Sequence, residues 1–364
     1  MLKTNKIIHI ITDLGNGGAE RQLIELLKKN PSQKLLIFKS AGIYKKELDI
    51  YKIKYKELNI KNNFSIFLNF LKISEEIKAS SSLIIHAWMY NACLIMSLVK
   101  FLFNLKNSLV WGIRCSNMNL THYSLSLRLT FNLCRIFSFM ANYIIYNSHS
   151  GLNYHRRLGF YSKLNKVIPN GIDNKKFIFS NKNRIEIRES LGIKKNEIVI
   201  ICAARVDPMK NHINLLKAFQ KTRRKNKKII LLLIGKGTEN LKSQEGVMAI
   251  GMKVDIESYY SAGDMIIMPS KFGEGFPNAL AEGMSCKLFP ITTNVGDALK
   301  IVSNIGLVIK NTHANAISGA LNTALKFSKI KINKLKGLSR YRVVKDYNIK
   351  KMSNEYNKCY EELI

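Results

Sequence analysis

Short apolar runs alternate along the chain with longer stretches whose apolar positions recur every three or four residues. Unbroken apolar runs bounded by turn residues suit strands buried on both faces, and the longer period suits helices laid over them. In the first half, strands are predicted at residues 6–12, 34–39, 83–87, 108–114 and 143–148. Residues 166–173 follow, where Pro169 biases Ile168 toward extended backbone and Asn170-Gly171 signals a turn. A second series then predicts strands at 197–205, 228–235, 247–251, 264–270 and 289–293, with helices between them such as 212–221. Near the end, Ile349, Met352, Tyr356 and Tyr360 recur with helical spacing. The pattern predicts an α/β protein of two domains, 1–170 and 171–345, followed by a helical segment over 346–364. Open parallel sheets bind ligands beyond the carboxyl ends of their strands, so two facing sheets would place a site in the cleft between them.

Length and composition agree with this: 364 residues, 46% of them hydrophobic, suit two ordinary domains. No stretch reaches the ~18–20 apolar residues of a spanning helix; the nearest, residues 92–103, is interrupted by Lys100. The first twelve residues read as a strand and not as a secretory h-region, so cytoplasmic residence is the default expectation. Cys93, Cys115, Cys134, Cys202, Cys286 and Cys359 form no C-x-x-C pair and are expected to be buried free thiols.

Charge changes the picture more. The chain has 58 basic and 25 acidic residues, and none of the acidic ones lies between Glu76 and Asp173. That interval holds ten basic residues: Lys78, Lys100, Lys106, Arg114, Arg128, Arg135, Arg156, Arg157, Lys163 and Lys166. Such an excess attracts polyanions: nucleic acid, phosphate-bearing substrates or an anionic membrane leaflet. A solvated basic surface with no partner is the plain alternative.

Three loops carry candidate chemistry. T-D-L-G-N-G-G-A-E-R, residues 12–21, leads a strand through Gly15, Gly17 and Gly18 into a helix. Glycines there let backbone approach a ligand, and a helix N-terminus favours an anion. It is not the dinucleotide fingerprint, because Glu20 holds the third glycine's place and the second strand ends in Lys39. In A-A-R-V-D-P-M-K-N-H, residues 203–212, Arg205 and Lys210 leave a strand end together and suit a diphosphate, or are simply solvated surface cations. In F-G-E-G-F-P-N-A-L-A-E-G-M-S, residues 272–285, Glu274 stands in a glycine-flanked loop and Glu282 in the next helix. Two carboxylates at different depths can accept hydrogen bonds from two polyhydroxylated parts of one ligand, such as a sugar and a ribose. A glycosidase pair would need carboxylates on opposite sides of a sugar, whereas both of these belong to one loop and helix.

Taken in order, G-G-A-E-R, N-G-I-D, A-R-V-D-P-M-K-N-H, L-I-G-K-G and G-E-G-F-P-N-A-L-A-E-G-M resemble retaining glycosyltransferase family 4 over almost the whole chain. The resemblance implies the GT-B architecture, two Rossmann-like domains facing across a cleft, with the last helix crossing back to the first domain. It implies an acceptor-side first domain and a second domain that binds a nucleotide diphosphate sugar, with uracil the expected base, without a metal or other cofactor. By motif, Arg205 and Lys210 match the pair on the donor diphosphate. Glu274 with Gly275, Phe276, Pro277 and Asn278 matches the loop around the transferred sugar, and Glu282 the glutamate on the ribose. Gly17 and Gly18 match the first-domain loop near phosphate and acceptor. Gly235, Ile250 and Gly251 fall where the family holds ribose and base.

Two places depart from the family. Where many members carry a histidine at the end of the fourth strand, this chain has Arg114; it and His86 are either acceptor-side cleft candidates or structural residues. After Glu282 the usual Gly-x-Pro turn is replaced by Lys287 and Phe289, and Asn294 stands where Asp is common.

The expected function is a cytoplasmic, membrane-associated retaining glycosyltransferase that moves a hexose or N-acetylhexosamine to a lipid-linked bacterial surface glycan. Basic and apolar residues over 128–140 are expected either to lie against lipid or to form a buried helix. The alternatives are a soluble transferase making a small glycoside or glycolipid, and a nucleic-acid-binding protein suggested by charge alone.

Overall fold

The computed structural model describes residues 6–15, 17–61 and 63–364. Residues 1–5, Asn16 within the first glycine loop, and Asn62 lie outside the described residues. The chain divides into two compact units, residues 1–171 with 349–364, and residues 172–348.

The first unit is built on seven parallel strands: β1 Ile7–Ile11, β2 Lys34–Ile37, β3 Lys54–Glu57, β4 Ile84–Trp88, β5 Ser108–Ile113, β6 Tyr143–Tyr146 and β7 Leu164–Val167. Their order across the sheet is β3-β2-β1-β4-β5-β6-β7. Successive side chains of a strand point to opposite faces, and here they enter two separate cores. Ile8, Ile10, Leu36, Ile85, Leu109, Trp111 and Ile144 join one. Ile7, Ile11, Leu35, Ile37, Ile84, Val110 and Ile145 join the other. That double burial is why the central strands read as unbroken apolar runs. The second of these cores also takes Leu23, Ile24, Leu26 and Leu27 of helix Gly18–Lys29. It is completed by Ile349, Met352, Tyr356, Cys359 and Tyr360 of helix Ile349–Glu361, the buried face that the terminal periodicity predicted.

Where the chain leaves and re-enters this unit, the backbone is tight. A Cβ on Gly171 would lie 2.7 Å from Ile349 Cα. The Gly171 amide donates to Gln22 Oε1 at 2.9 Å, and its carbonyl accepts from Gln22 Nε2 at 3.0 Å.

The second unit has six parallel strands: β8 Ile198–Ala203, β9 Ile229–Ile234, β10 Val247–Ala249, β11 Met265–Met268, β12 Phe289–Thr293 and β13 Leu307–Ile309. Their order is β10-β9-β8-β11-β12-β13. From β8 the chain first winds outward through β9 and β10, then returns to the other side at β11. The switch point, where a doubly wound sheet opens a crevice at its carboxyl edge, therefore lies between β8 and β11.

Two strands carried no readable signal. β3 is an edge strand of sequence K-Y-K-E with its lysines outward, the usual protection of an open edge against pairing. β13 is a three-residue edge strand, too short for a period.

The unusual turn after Glu282 is well formed. Lys287 takes the left-handed conformation, φ +61°, at the end of helix Asn278–Ser285. The Lys287 amide donates to Met284 O at 3.1 Å and the Leu288 amide to Gly283 O at 3.0 Å. This is the helix-closing pattern that normally takes glycine, here held by a lysine whose side chain lies over the Phe179 ring.

Candidate active site at the sheet edge of the second unit

Each strand of the second unit ends in a loop at the same edge, and the loops after β8 and β11 flank the switch point. They are tied to each other by three contacts. Asn211, in the left-handed conformation, donates from Nδ2 to Pro269 O at 3.0 Å. The Lys271 amide donates to Met209 O at 2.8 Å. Gly273, φ +80°, lies so close that a Cβ would meet Met209 Sδ at 2.4 Å. Glycine is required at 273 by both its φ and this approach.

At the junction, Lys210 Nζ and Glu274 Oε1 are 2.5 Å apart. Ser270 Oγ donates to the same carboxylate oxygen at 2.7 Å. Glu274 is buried, and Lys210 is largely covered. A charge-assisted pair of this kind fixes both side chains. Removing one partner leaves the other charge in a poorly solvated place. Arg205 differs: its side chain is 57% exposed and its guanidinium leans on Asp207 Oδ2, from Nη2 at 3.2 Å and Nε at 3.3 Å. Asp207 in turn accepts the Met209 amide at 2.9 Å and starts the turn Pro208–Lys210. Lys210 is thus held and Arg205 is presented outward.

Neighbouring loops brace this edge. Gly235, φ +146°, sits against the end of β8; a Cβ there would fall 2.3 Å from Ala204 O and 2.8 Å from Arg205 N. The Gly235 amide donates to Gly251 O at 2.8 Å, and the Ile250 amide to Leu233 O at 3.0 Å. From the loop after β12, the Asp297 amide donates to Gly275 O at 2.9 Å. Gly296 sits where a Cβ would strike the carbonyls of Glu274 and Gly275. Phe276 is buried, its ring edge-on to Tyr347 at 5.3 Å between centroids. Pro277 caps helix Asn278–Ser285, which Asn278 opens. Glu282, further along that helix, is buried and accepts from the Tyr260 hydroxyl at 3.3 Å.

Arg205, Lys210, Gly235, Ile250, Gly251, Glu274 to Asn278 and Glu282 all belong to the second unit. Gly17, Gly18, His86 and Arg114 belong to the first. Gly17 caps helix Gly18–Lys29, and the Glu20 carboxylate folds back over Gly17, where a Cβ would meet it.

His86 and Arg114, read from the sequence as acceptor-side or structural residues, are both buried in the first unit. His86 is completely buried in β4, its Nδ1 2.7 Å from the Tyr360 hydroxyl. Arg114 is also buried; it donates to the Tyr356 hydroxyl at 2.6 Å and to Asn170 Oδ1, and its guanidinium lies 5.1 Å from the Trp88 ring centre. Their partners are the returning helix and the crossing segment. Ser270, Asp207, Asn211 and Gly296 are site-supporting residues that the sequence reading did not single out. Only Asn211, between a cation and a helix start, carried any signal.

Among the described residues no cluster of three or more His, Cys, Asp or Glu side chains is placed to hold a metal ion. The six cysteines are free, five of them buried.

Residues 183–336 match the family model described as Glycosyl transferases group 1. The second unit carries a glycosyl transferases group 1 domain. All the donor-side candidates named above from this unit lie within the matched residues of that domain. Over 98% of this chain the structure is similar to Anabaena HepE in complex with UDP-glucose, covering 99% of that chain with a TM-score of 0.84 at 20% identity. It is also similar to WaaG, a glycosyltransferase involved in lipopolysaccharide biosynthesis, with a TM-score of 0.71 at 12% identity over 96% of this chain and 98% of that one. These likenesses establish the fold: GT-B, with two Rossmann-like α/β domains of which the group 1 domain is the second. In sequence, 214 residues are 25% identical to the Escherichia coli UDP-Gal:alpha-D-GlcNAc-diphosphoundecaprenol alpha-1,3-galactosyltransferase, over 54% of each protein. The chain thus spans about half the length of that curated relative in the match.

Proposed function

We propose that the protein is a metal-independent retaining glycosyltransferase that transfers a hexose or N-acetylhexosamine from a nucleotide diphosphate sugar to a lipid-linked surface glycan. The observation that carries the reading is the Lys210–Glu274 pair at the switch point of the group 1 domain, 2.5 Å between Nζ and Oε1, with Arg205 presented beside it. The hard step of glycosyl transfer is departure of the nucleoside diphosphate, as charge builds on its terminal phosphate. Fixed cations aimed at that charge stabilise the transition state more than the ground state. Lys210 is already oriented by Glu274 and Ser270, so it loses little freedom on meeting phosphate. Arg205 would exchange Asp207 for a phosphate oxygen with its planar fork.

Glu274, with the backbone of Gly275, Phe276 and Pro277, would hold hydroxyls of the transferred sugar, and Glu282 the ribose. The backbone at Gly235, Ile250 and Gly251 would hold the nucleoside. In the retaining course the acceptor attacks from the leaving group's side, and the departing phosphate takes its proton. UDP is the nucleotide favoured, because the HepE structure holds UDP-glucose and the E. coli relative is named for UDP-Gal. The lipid-linked acceptor follows from that relative's diphosphoundecaprenol substrate and from the acid-free basic interval of the first unit. The enzyme would work peripherally on the inner face of the plasma membrane; no helix among the described residues is long and apolar enough to cross one. Incubation with a panel of UDP-, GDP- and ADP-sugars and a polyprenyl-diphosphate glycan tests the reading. One donor should be consumed, and NMR of the product should show the anomeric configuration of the donor.

A further inference from the structure

Helix Leu125–Phe137 is apolar on two opposite faces. Phe131 and Cys134, with partly covered Leu127, enter the core against helix Met89–Leu102. At 100° per residue, Leu125, Leu129 and Ile136 fall on one stripe on the far side of the helix from Leu127 and Cys134. They are 77%, 61% and 57% exposed. The stripe continues past the helix end into Phe139 and then Tyr161, 63% and 67% exposed. Tyr161 is held there by its amide, which donates to Ser138 Oγ at 2.8 Å. A helix that needs only one packed face has no folding reason to carry the second.

The charges on this surface are all of one sign. Arg128 and Arg135 flank the stripe on one side, and Lys163 follows Tyr161 in sequence. Arg128 is held by neutral carbonyls, those of Leu120 and Thr121 at 2.8 Å and Tyr123 at 3.1 Å, so its charge is positioned without being cancelled. Carboxylates are absent from the sequence for the whole interval between Glu76 and Asp173. An exposed apolar stripe edged by cations matches the boundary between acyl chains and anionic headgroups, where apolar side chains sink and arginines stay at phosphate level. Nucleic acid would use the cations and leave the leucines unpaired.

We propose that the stripe Leu125, Leu129, Ile136, Phe139 and Tyr161, with Arg128, Arg135 and Lys163 beside it, docks the first unit on an anionic lipid surface. The proposal takes its purpose from the lipid-linked acceptor proposed above, and its observations are independent of the donor site.

Co-sedimentation of the full chain with neutral phosphatidylcholine vesicles, and with vesicles containing 30% phosphatidylglycerol, tests it. Wild type should partition onto the anionic vesicles at least tenfold more strongly than onto neutral ones, and high salt should release most of it. L129S/I136S should lose about tenfold or more in partition on anionic vesicles, because the apolar anchor is gone. R135Q/K163Q should lose about twenty-five-fold there, each charge being worth roughly fivefold near such a surface, and should leave binding to neutral vesicles unchanged. Unaltered melting temperature and unaltered stabilisation by UDP would show that both variants fold with the donor site intact. The proposal is overturned if wild type ignores anionic vesicles, or if L129S/I136S binds them as wild type does. It is equally overturned if wild type forms a dimer that L129S/I136S abolishes while vesicle binding is absent, since the stripe would then be an interface between copies. Loss of UDP stabilisation in wild type with vesicle binding retained would strike the donor reading and leave this one standing.

Discussion

The two sheets of the molecule end in polar residues at their carboxyl edges, but the two edges are used differently. In the second unit, Arg205, Lys210, Glu274 and the glycines around them stand in loops, and the loops bind one another. In the first unit, Arg114 just past β5 turns inward, as do His9 and His86 in the middle of β1 and β4. His9 donates to Gln33 and takes the Trp88 indole N–H, His86 meets Tyr360, and Arg114 meets Tyr356 and Asn170. Because Nδ1 of His9 accepts from Trp88 at 3.0 Å, its Nε2 carries the proton given to Gln33. One edge keeps its charges available for a ligand. The other uses them to seat a helix that arrives from the far end of the chain. The same fold therefore leaves charged side chains in the loops of one sheet and buries polar groups under a later segment on the other.

The largest effect that sharpens this contrast is expected at Lys210. Lys210→Ala should lower turnover by ~10²–10³-fold, the usual loss when one fixed transition-state donor is removed, measured as donor consumption per enzyme. Normal turnover in that variant would remove the second edge from the chemistry.

Acid should act on the first unit. Burial pushes the pKa of His9 and of His155 down to about 4, against 6.5 for a free histidine. The unfolded chain takes those protons first, so their stabilising contribution is complete above pH 6.5 and is lost as pH falls toward 4. Each histidine should account for up to ~3 kcal/mol at the low end. Denaturant unfolding between pH 7.5 and 4.5 reads this directly. His9→Gln and His155→Gln should flatten the pH dependence, and an unchanged slope would contradict the buried neutral imidazoles.

Arg114→Ala should follow in size. It removes two buried hydrogen bonds, to Tyr356 and to Asn170, at a cost of ~1–3 kcal/mol, seen as a lower melting temperature. The stabilisation gained from UDP should stay that of wild type; its disappearance would return Arg114 to the ligand side.

The smallest effect is expected at the turn after Glu282. Lys287→Gly should raise stability by ~1 kcal/mol, the strain of a side chain in the left-handed region, with turnover unchanged. A fall in melting temperature would mean that the Lys287 contact with Phe179 matters more than the backbone.

Much of this was legible in the chain. Runs such as I-V-I-I-C-A and I-I-L-L-L-I announce strands buried on both faces, because no polar residue interrupts them. Glu274, Arg205 and Lys210 were legible because each follows such a run at a loop. The edge strands β3 and β13 were not, since a sheet edge asks little of its sequence. Nor was the burial of His86 and Arg114. Their partners Tyr360 and Tyr356 lie 274 and 242 residues further on, and no local pattern reports which segment will cover a strand end. The turn at Lys287 departs from the usual glycine solution, yet its hydrogen bonds form with lysine in place.

The most direct test of the donor edge is thermal unfolding of the intact chain with and without UDP and UDP-sugars, for wild type, Arg205→Ala and Lys210→Ala. Ligand at a hundred times its dissociation constant stabilises the folded state by ~2.7 kcal/mol. Wild type should melt several degrees higher with the nucleotide, and both variants should lose most of that rise. Variants that keep the full rise would contradict the claim that these two cations hold the diphosphate.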